Sequence, residues 1–244
     1  DLVNNGEGRQ YEQLAGCIEE VLPDKPVFAV PGNHDVSGGN DENYRRFEQW
    51  LWQRRSKLLP GGEKEGQGFY VPLGHGIDLI GLSPAYRNKI FSLTDRSSLE
   101  WVKRWLAESR ESCHLIMCHA PLLAHNPQRK QGKHFPYLAQ DKALQELVNE
   151  TGSVMFLSGH THISPNTPAG CAQWDERCKN AYINDGSICP CDRKTDETLW
   201  PLQWSDGCVT ELLLYENHTE VIMRFLHSGK RISRGYYRWD LQGL

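Results

Sequence analysis

Residues 154–162 read Val-Met-Phe-Leu-Ser-Gly-His-Thr-His, a short apolar run followed by a turn that carries two histidines. The same arrangement occurs twice more: residues 27–30 precede Pro-Gly-Asn-His-Asp at 31–35, and residues 114–118 precede His-Ala-Pro at 119–121. Short apolar runs of this kind are typical of strands buried on both faces. Because ligands bind outside the carboxyl ends of strands in α/β sheets, we expect the three turns to lie together at one sheet edge.

Amphipathic patterns separate these runs. Apolar residues at helical spacing predict helices at residues 11–21, 41–59, 94–109 and 141–149. Alternating segments predict a hairpin over residues 68–83, with His75 in its turn, and two closing strands at 209–215 and 221–227. Strands that alternate with helices predict an α/β fold, in a single domain that covers residues 1–244.

Composition excludes several classes of function. The chain has 244 residues and a formal net charge of -4, which argues against binding to extended nucleic acid or to an anionic membrane. No apolar run approaches the roughly 18 residues that a membrane-spanning helix needs. We expect a soluble protein, with a cytoplasmic location favoured over other compartments.

Five of the eight cysteines fall within a short stretch of the C-terminal half, which predicts an irregular Cys-rich insertion at about residues 164–207. Disulfides in an oxidising compartment, a structural zinc site and free thiols are the three alternatives for these residues. The spacings fit the common zinc frameworks poorly. The five residues are Cys171, Cys178, Cys189, Cys191 and Cys208.

The histidine-bearing turns offer a mixed set of nitrogen and oxygen ligands: His34, His119, His160 and His162, with Asn33 and one or more carboxylates. Such a set suits Mn, Fe or Zn better than calcium. Two such ions need a carboxylate that bridges them. A metal pair about 3.5–4 Å apart clamps the attacking and the leaving oxygen of a displacement at phosphorus.

Three ordered motifs resemble those of the calcineurin-like metallophosphoesterase superfamily, and among its members the bacterial phosphodiesterases most. They are Gly32-Asn33-His34-Asp35, His119 after a strand, and Gly159-His160-Thr161-His162. The opening Asp1-Leu2-Val3-Asn4-Asn5-Gly6 is similar to the stretch in which the family's Gly-Asp motif continues. The resemblance covers most of residues 1–162. It implies an α/β/β/α sandwich that binds two divalent or transition metal ions.

The resemblance also implies roles for individual residues. Asp1 would bridge the two metals, with Asn33, His119 and His160 completing one metal site and His162 serving the other. His34 would not bind metal; it would stabilise charge on the scissile phosphate or protonate the leaving oxygen. Asp35 would orient His34, with an exposed capping residue as the alternative reading.

One family motif has no counterpart. The family's first motif, Asp-x-His, supplies two ligands to the metal that His162 would hold, and no such motif precedes Asp1. The chain therefore resembles an N-terminally truncated member of the superfamily. A longer natural protein is the favoured explanation over completion by another chain or a catalytically impaired form.

These features predict an enzyme, a metal-dependent phosphoester hydrolase. The expected substrate is a small phosphodiester such as a cyclic nucleotide, cleaved by a metal-bound hydroxide. A phosphomonoesterase or a pyrophosphatase of the same family is one alternative. A catalytically impaired metal-binding or interaction protein is the other, because the first motif is absent.

Overall fold

The computed structural model describes residues 1–36, 41–58, 63–65, 68–87, 90–93, 96–127, 138–139, 142–162, 171–186 and 207–240. The chain divides into two compact units. The first consists of residues 1–119 and 138–144, and the second of residues 120–137 and 145–244.

Among its described residues, the first unit contains three helices and seven strands. The helices are α1 (Gly8–Val21), α2 (Asp41–Leu58) and α3 (Arg96–Glu108). The strands are β1 (Glu63–Glu65), β2 (Gly68–Gly74), β3 (Ile77–Leu82), β4 (Ala85–Arg87), β5 (Ile90–Ser92), β6 (Cys113–Cys118) and β7 (Leu138–Ala139). Strands β1, β2 and β3 pair antiparallel in that order, and β6 pairs parallel with β3. The short strands β4, β5 and β7 form a second small sheet.

The hairpin between β2 and β3 follows directly from its turn residues. Gly74, His75 and Gly76 all have positive φ angles, a conformation that glycine adopts without steric cost. After the turn, residues 78–82 of β3 are buried without interruption, as expected for a strand covered on both faces. The predicted hairpin and the turn position of His75 are confirmed.

Helix α3 packs its apolar face into the core of this unit. Trp101 and Trp105 are buried, with their ring centroids 4.4 Å apart. Each large apolar side chain buried in this way contributes about 1.5–3 kcal/mol to folding. Trp50 of α2 is also buried and stacks on Tyr11 of α1.

The described strands of the second unit form two groups. Helix α4 (Lys142–Thr151) begins in the first unit and continues into the second. It leads into β8 (Val154–Ser158), which pairs parallel with β10 (Asn180–Asn184), and β10 pairs antiparallel with β9 (Ala172–Asp175). Strands β11 (Cys208–Leu214), β12 (His218–Phe225) and β13 (Arg231–Asp240) form an antiparallel sheet. Residues Leu123–His125 form a short 3-10 helix.

The predicted α/β fold is confirmed: helices alternate with strands, and the central sheet strands pair in both directions. Two local predictions are wrong. Residues 27–30 form no strand, because no described strand pairs with their backbone. Ala29 is nevertheless buried. The segment expected to be irregular contains β9, in which apolar and polar residues alternate, and β10, in which all five residues are buried. The single domain over residues 1–244 stays a prediction.

The state of the clustered cysteines stays a prediction as well. Among the described residues, Cys178 forms no disulfide, and neither do Cys17 and Cys113 elsewhere in the chain. Cys189 and Cys191 lie outside the described residues. Among the described helices, none combines the length and the apolar character that crossing a membrane requires.

Candidate metal centre

Three predicted ligands meet in the first unit, where the turn after β6 lies beside residues 1 and 33. Nε2 of His119 lies 3.3 Å from Oδ2 of Asp1 and 3.3 Å from Oδ1 of Asn33. His119 directly follows β6 and is buried, with its ring packed at a centroid distance of 5.5 Å from that of Phe91. The Phe91 contact restricts the rotation of the imidazole.

The chemistry of this donor set fits a transition-metal ion. Asp1 and His119 belong to a candidate metal-binding group, and Asn33 offers a further ligand atom beside them. A neutral imidazole nitrogen carries at most one hydrogen, so the Nε2 group of His119 cannot make two well-aligned hydrogen bonds to two separate oxygens. A cation among the three atoms would use the lone pairs of all of them, and this mixture of nitrogen and oxygen suits Mn, Fe or Zn.

The loop around Gly32 brings Asp1 to its position. The second carboxylate oxygen of Asp1, Oδ1, accepts the backbone N–H of His34 at 2.8 Å. A Cβ atom on Gly32 would lie 2.0 Å from the same oxygen and 2.6 Å from the backbone nitrogen of Asp1. Only glycine therefore allows the Asp1 carboxylate to approach this closely.

His34 projects from the same loop with an exposed side chain. Its Nδ1 lies 2.9 Å from the backbone carbonyl oxygen of Asn4. Because a carbonyl can only accept, Nδ1 carries the hydrogen and the ring is fixed through that atom. Nε2, on the opposite edge of the ring, is left to exchange a proton with another group.

Asp35 is fully buried beneath this loop, so the alternative of an exposed capping residue is wrong. Its carboxylate accepts backbone N–H groups from Leu2, Val3 and Gly32 at distances of 2.8–3.1 Å. The hydroxyl of Tyr11 lies 3.5 Å from Oδ1, and burial together with the charge of Asp35 raises the pKa of Tyr11. The described contacts of Asp35 go to backbone groups and to Tyr11. The ring of His34 is bonded to Asn4 instead. Its catalytic role stays a prediction.

The remaining two predicted ligands share one loop of the second unit. His160 and His162 follow β8, are both half-buried, and have φ angles of 67° and 51°. Residues other than glycine rarely adopt this left-handed conformation, which costs about 1–3 kcal/mol at each position and recurs at functional sites. Thr161, between them, donates its backbone N–H to the carbonyl of Gly159 at 2.8 Å.

The structure thus assembles the predicted residues in two groups. The first unit brings together Asp1, Asn33 and His119, with His34 and Asp35 in the same loop, and the second places His160 and His162 on one loop. Their combination into one metal centre stays a prediction. Sequence analysis did not identify the carbonyl of Asn4 or the hydroxyl of Tyr11. These contacts join residues 30 and 24 positions apart, and no local pattern indicates them.

A model of the calcineurin-like phosphoesterase family matches residues 1–164. A curated relative, the probable glycerophosphodiester phosphodiesterase GpdQ of Arcobacter nitrofigilis, is 26% identical over 122 residues, which are 50% of this chain and 39% of that protein. The chain therefore matches less than half the length of this relative.

Solved structures that resemble the chain weakly include the following two. One is a conserved uncharacterised protein from Streptococcus pneumoniae described as a predicted phosphoesterase, with a TM-score of 0.40, 10% identity, and coverage of 97% of this chain and 92% of that one. The other is Vacuolar Protein Sorting 29 from Cryptosporidium parvum, with a TM-score of 0.32, 12% identity, and coverage of 93% and 75%. Because the family model spans residues 1–164, well over half of the sequence, this chain belongs to the calcineurin-like phosphoesterase family.

Proposed function

We propose that this protein is a metal-dependent phosphoester hydrolase whose substrate is a small phosphodiester. The observation that carries the proposal is the approach of the His119 Nε2 atom to within 3.3 Å of both Asp1 Oδ2 and Asn33 Oδ1. Membership in the calcineurin-like phosphoesterase family supports phosphoester chemistry at such a group.

Asp1, Asn33 and His119 would hold one metal ion, and His160 would complete its ligand set. His162 would serve a second ion, with Asp1 bridging the two. When bound, ions of this type polarise phosphoryl oxygens and lower the pKa of a coordinated water molecule. Mn, Fe and Zn are the candidates, because each accepts mixed nitrogen and oxygen ligands.

His34 supplies the proton chemistry in this proposal. The bond from Nδ1 to the Asn4 carbonyl fixes the ring and leaves Nε2 on the exposed side of the loop. A protonated ring would stabilise negative charge on the phosphate and then give its Nε2 proton to the leaving oxygen. General acid catalysis of this kind contributes a factor of about 10²–10⁴ in rate.

The choice of a diester rests on the curated relative, whose name describes a probable glycerophosphodiester phosphodiesterase. A small diester of this kind, or a cyclic nucleotide, presents one negative charge and one leaving oxygen to the site. A monoester or a pyrophosphate is the nearest alternative substrate class.

The decisive experiment compares hydrolysis of bis(p-nitrophenyl) phosphate and p-nitrophenyl phosphate by protein loaded with Mn²⁺, Fe²⁺ or Zn²⁺. We expect metal-dependent cleavage with a higher kcat/KM for the diester. His34→Asn should lower kcat by about 10²–10⁴-fold with the metal content unchanged. The matched control is His75→Asn, because His75 is also exposed and lies in the hairpin turn.

Two results would contradict the proposal. Absence of hydrolysis with all three metals would favour a metal-binding protein without turnover, and full activity of His34→Asn would remove His34 from the chemistry. Faster cleavage of the monoester would leave the hydrolase intact but overturn the diester assignment.

A further inference from the structure

The loop that carries His160 and His162 has an unusual backbone that requires support. In the described part of the chain, five residues other than glycine have positive φ, and these two histidines are among them. Such conformations persist only where surrounding contacts fix them. The supporting contacts come from β10, the parallel neighbour of β8.

Asn184 ends β10 directly beside the last residue of β8, because its register partner is Ser158. The side chain of Asn184 is buried, with an exposed fraction of 3%. Its backbone is held as well: the N–H of Asn184 donates to Cys171 at 2.7 Å, and the next N–H along the chain donates to Ser158 at 2.8 Å. Asn184 is therefore held in place beside the end of β8, where the loop that carries His160 and His162 begins.

The amide group of Asn184 bonds to the loop at two positions. Nδ2 donates to the carbonyl oxygen of Gly159 at 2.7 Å, and Oδ1 accepts the hydroxyl of Thr161 at 2.6 Å. The carbonyl of Gly159 can only accept, so it must face the NH₂ group, and the orientation of the amide is determined. Nδ2 also lies 3.3 Å from Oγ of Ser158.

These two bonds hold the residues on either side of His160. Gly159 precedes His160, and Thr161 separates it from His162. Both bonds restrain the backbone on either side of His160, and Thr161 is itself buried.

We propose that Asn184 is a positioning residue that holds His160 and His162 in the orientation required for metal binding. This inference rests on the proposed function, in which both histidines are metal ligands. Residues that orient metal ligands without touching the metal typically change metal affinity by about 10–100-fold when they are replaced.

The test is Mn²⁺ affinity, measured by calorimetry on the full chain, together with the visible spectrum of the Co²⁺-loaded protein and the thermal midpoint. Asn184→Ala should weaken Mn²⁺ binding by about 10–100-fold and alter the Co²⁺ spectrum. Asn184→Asp keeps an acceptor for Thr161 but turns a carboxylate oxygen towards the carbonyl oxygen of Gly159, so its Mn²⁺ affinity should also fall below that of wild type.

Asn180 provides a matched control on the same strand. It is fully buried, its Oδ1 accepts the N–H of Val154 at 2.9 Å, and its Nδ2 donates to the carbonyl of Val148 at 3.0 Å. Asn180→Ala therefore removes equivalent bonds at the opposite end of β10. It should lower the thermal midpoint and leave Mn²⁺ affinity within about twofold of wild type.

A second pair of variants covers the case in which Asn184→Ala does not fold. Thr161→Val removes the hydroxyl that bonds to Asn184 and should also weaken Mn²⁺ binding. Thr161→Ser keeps the hydroxyl and should bind Mn²⁺ with wild-type affinity. Wild-type affinity in Thr161→Val, or equal losses of affinity in the Asn184 and Asn180 variants, would overturn the inference.

The outcome is separable from that of the proposed function. Wild-type protein that binds Mn²⁺ without hydrolysing any ester would refute the hydrolase, and the positioning role would stand if the variants behave as described. An active hydrolase whose Asn184→Ala variant binds Mn²⁺ normally would refute only the positioning role.

Discussion

Both carboxylate oxygens of the buried Asp35 lie within hydrogen-bond distance of the backbone nitrogen of Leu2, at 3.0 and 3.1 Å. Leu2 adjoins the candidate ligand Asp1, and Asp35 adjoins His34. The same carboxylate also accepts the N–H of Gly32. One buried side chain thus ties the segment that carries Asp1 to the loop that carries Asn33 and His34.

We predict that Asp35→Asn both destabilises the protein and weakens metal binding. An amide has a single acceptor oxygen. Its NH₂ group would face backbone N–H groups that now donate hydrogen bonds to the Asp35 carboxylate. The loss of a hydrogen bond to a buried charged group lowers the free energy of unfolding by about 1.5–3 kcal/mol. Denaturant unfolding and Mn²⁺ titration of the same sample measure the two effects.

Asp78→Asn is the control for this change. Asp78 is equally buried, but its carboxylate bonds to His114 at 2.9 Å and to Ser109 at 2.6 Å, near the start of β3. Replacement of Asp78 should destabilise the protein and leave Mn²⁺ affinity unchanged. Equal effects of the two variants on affinity would show that Asp35 acts through general stability alone.

Gly32→Ala should displace Asp1 from the candidate metal centre. The added methyl group would lie 2.0 Å from Oδ1 of Asp1, so the carboxylate must move. We expect Mn²⁺ affinity to fall by at least about tenfold, comparable to the loss of a residue that orients a ligand. Calorimetric titration of the metal-free protein provides the measurement.

The matched glycine is Gly16 in α1. A Cβ atom there would have no neighbour within 4 Å, and alanine is favoured over glycine inside a helix by up to about 1 kcal/mol. Gly16→Ala should therefore stabilise the protein slightly and bind Mn²⁺ as wild type does. Normal binding by Gly32→Ala would mean that Asp1 is not held as a ligand in this position.

Two histidines near opposite ends of β6 should behave differently when replaced by alanine. His119→Ala removes the nitrogen that lies between Asp1 and Asn33, so metal binding should be lost. His114→Ala leaves the buried Asp78 without its imidazole partner, which should lower the free energy of unfolding by about 1–3 kcal/mol without affecting the metal. Elemental analysis and thermal unfolding separate the two, and retained metal in His119→Ala would contradict the assignment.

Local patterns predicted the fold more completely than they predicted the contacts of the site. Helix α1 and the β2–β3 hairpin follow from periodicity and turn glycines, whereas β13 was not predicted because only Ile232 and Gly235 along it are buried. The contact of His34 with Asn4 joins residues 30 positions apart, and that of Asn184 with Thr161 joins residues 23 apart. Such bonds depend on which segments the sheet brings together, and this information is absent from the local sequence.

Cys113 should resist alkylation at moderately alkaline pH. Burial, with an added contribution from the negative charge of Asp78, raises the pKa of the Cys113 thiol to about 11. Because the thiolate is the reactive form, labelling by iodoacetamide at pH 8 should be slow at Cys113 and fast at the exposed Cys17, and should rise about tenfold per pH unit at Cys113 up to pH 10. The folded state disfavours the thiolate, so this group's contribution to stability is present below pH 9 and is lost as the pH rises to 11. Mass spectrometry of labelled peptides distinguishes the two sites, and equal labelling rates at pH 8 would contradict the raised pKa.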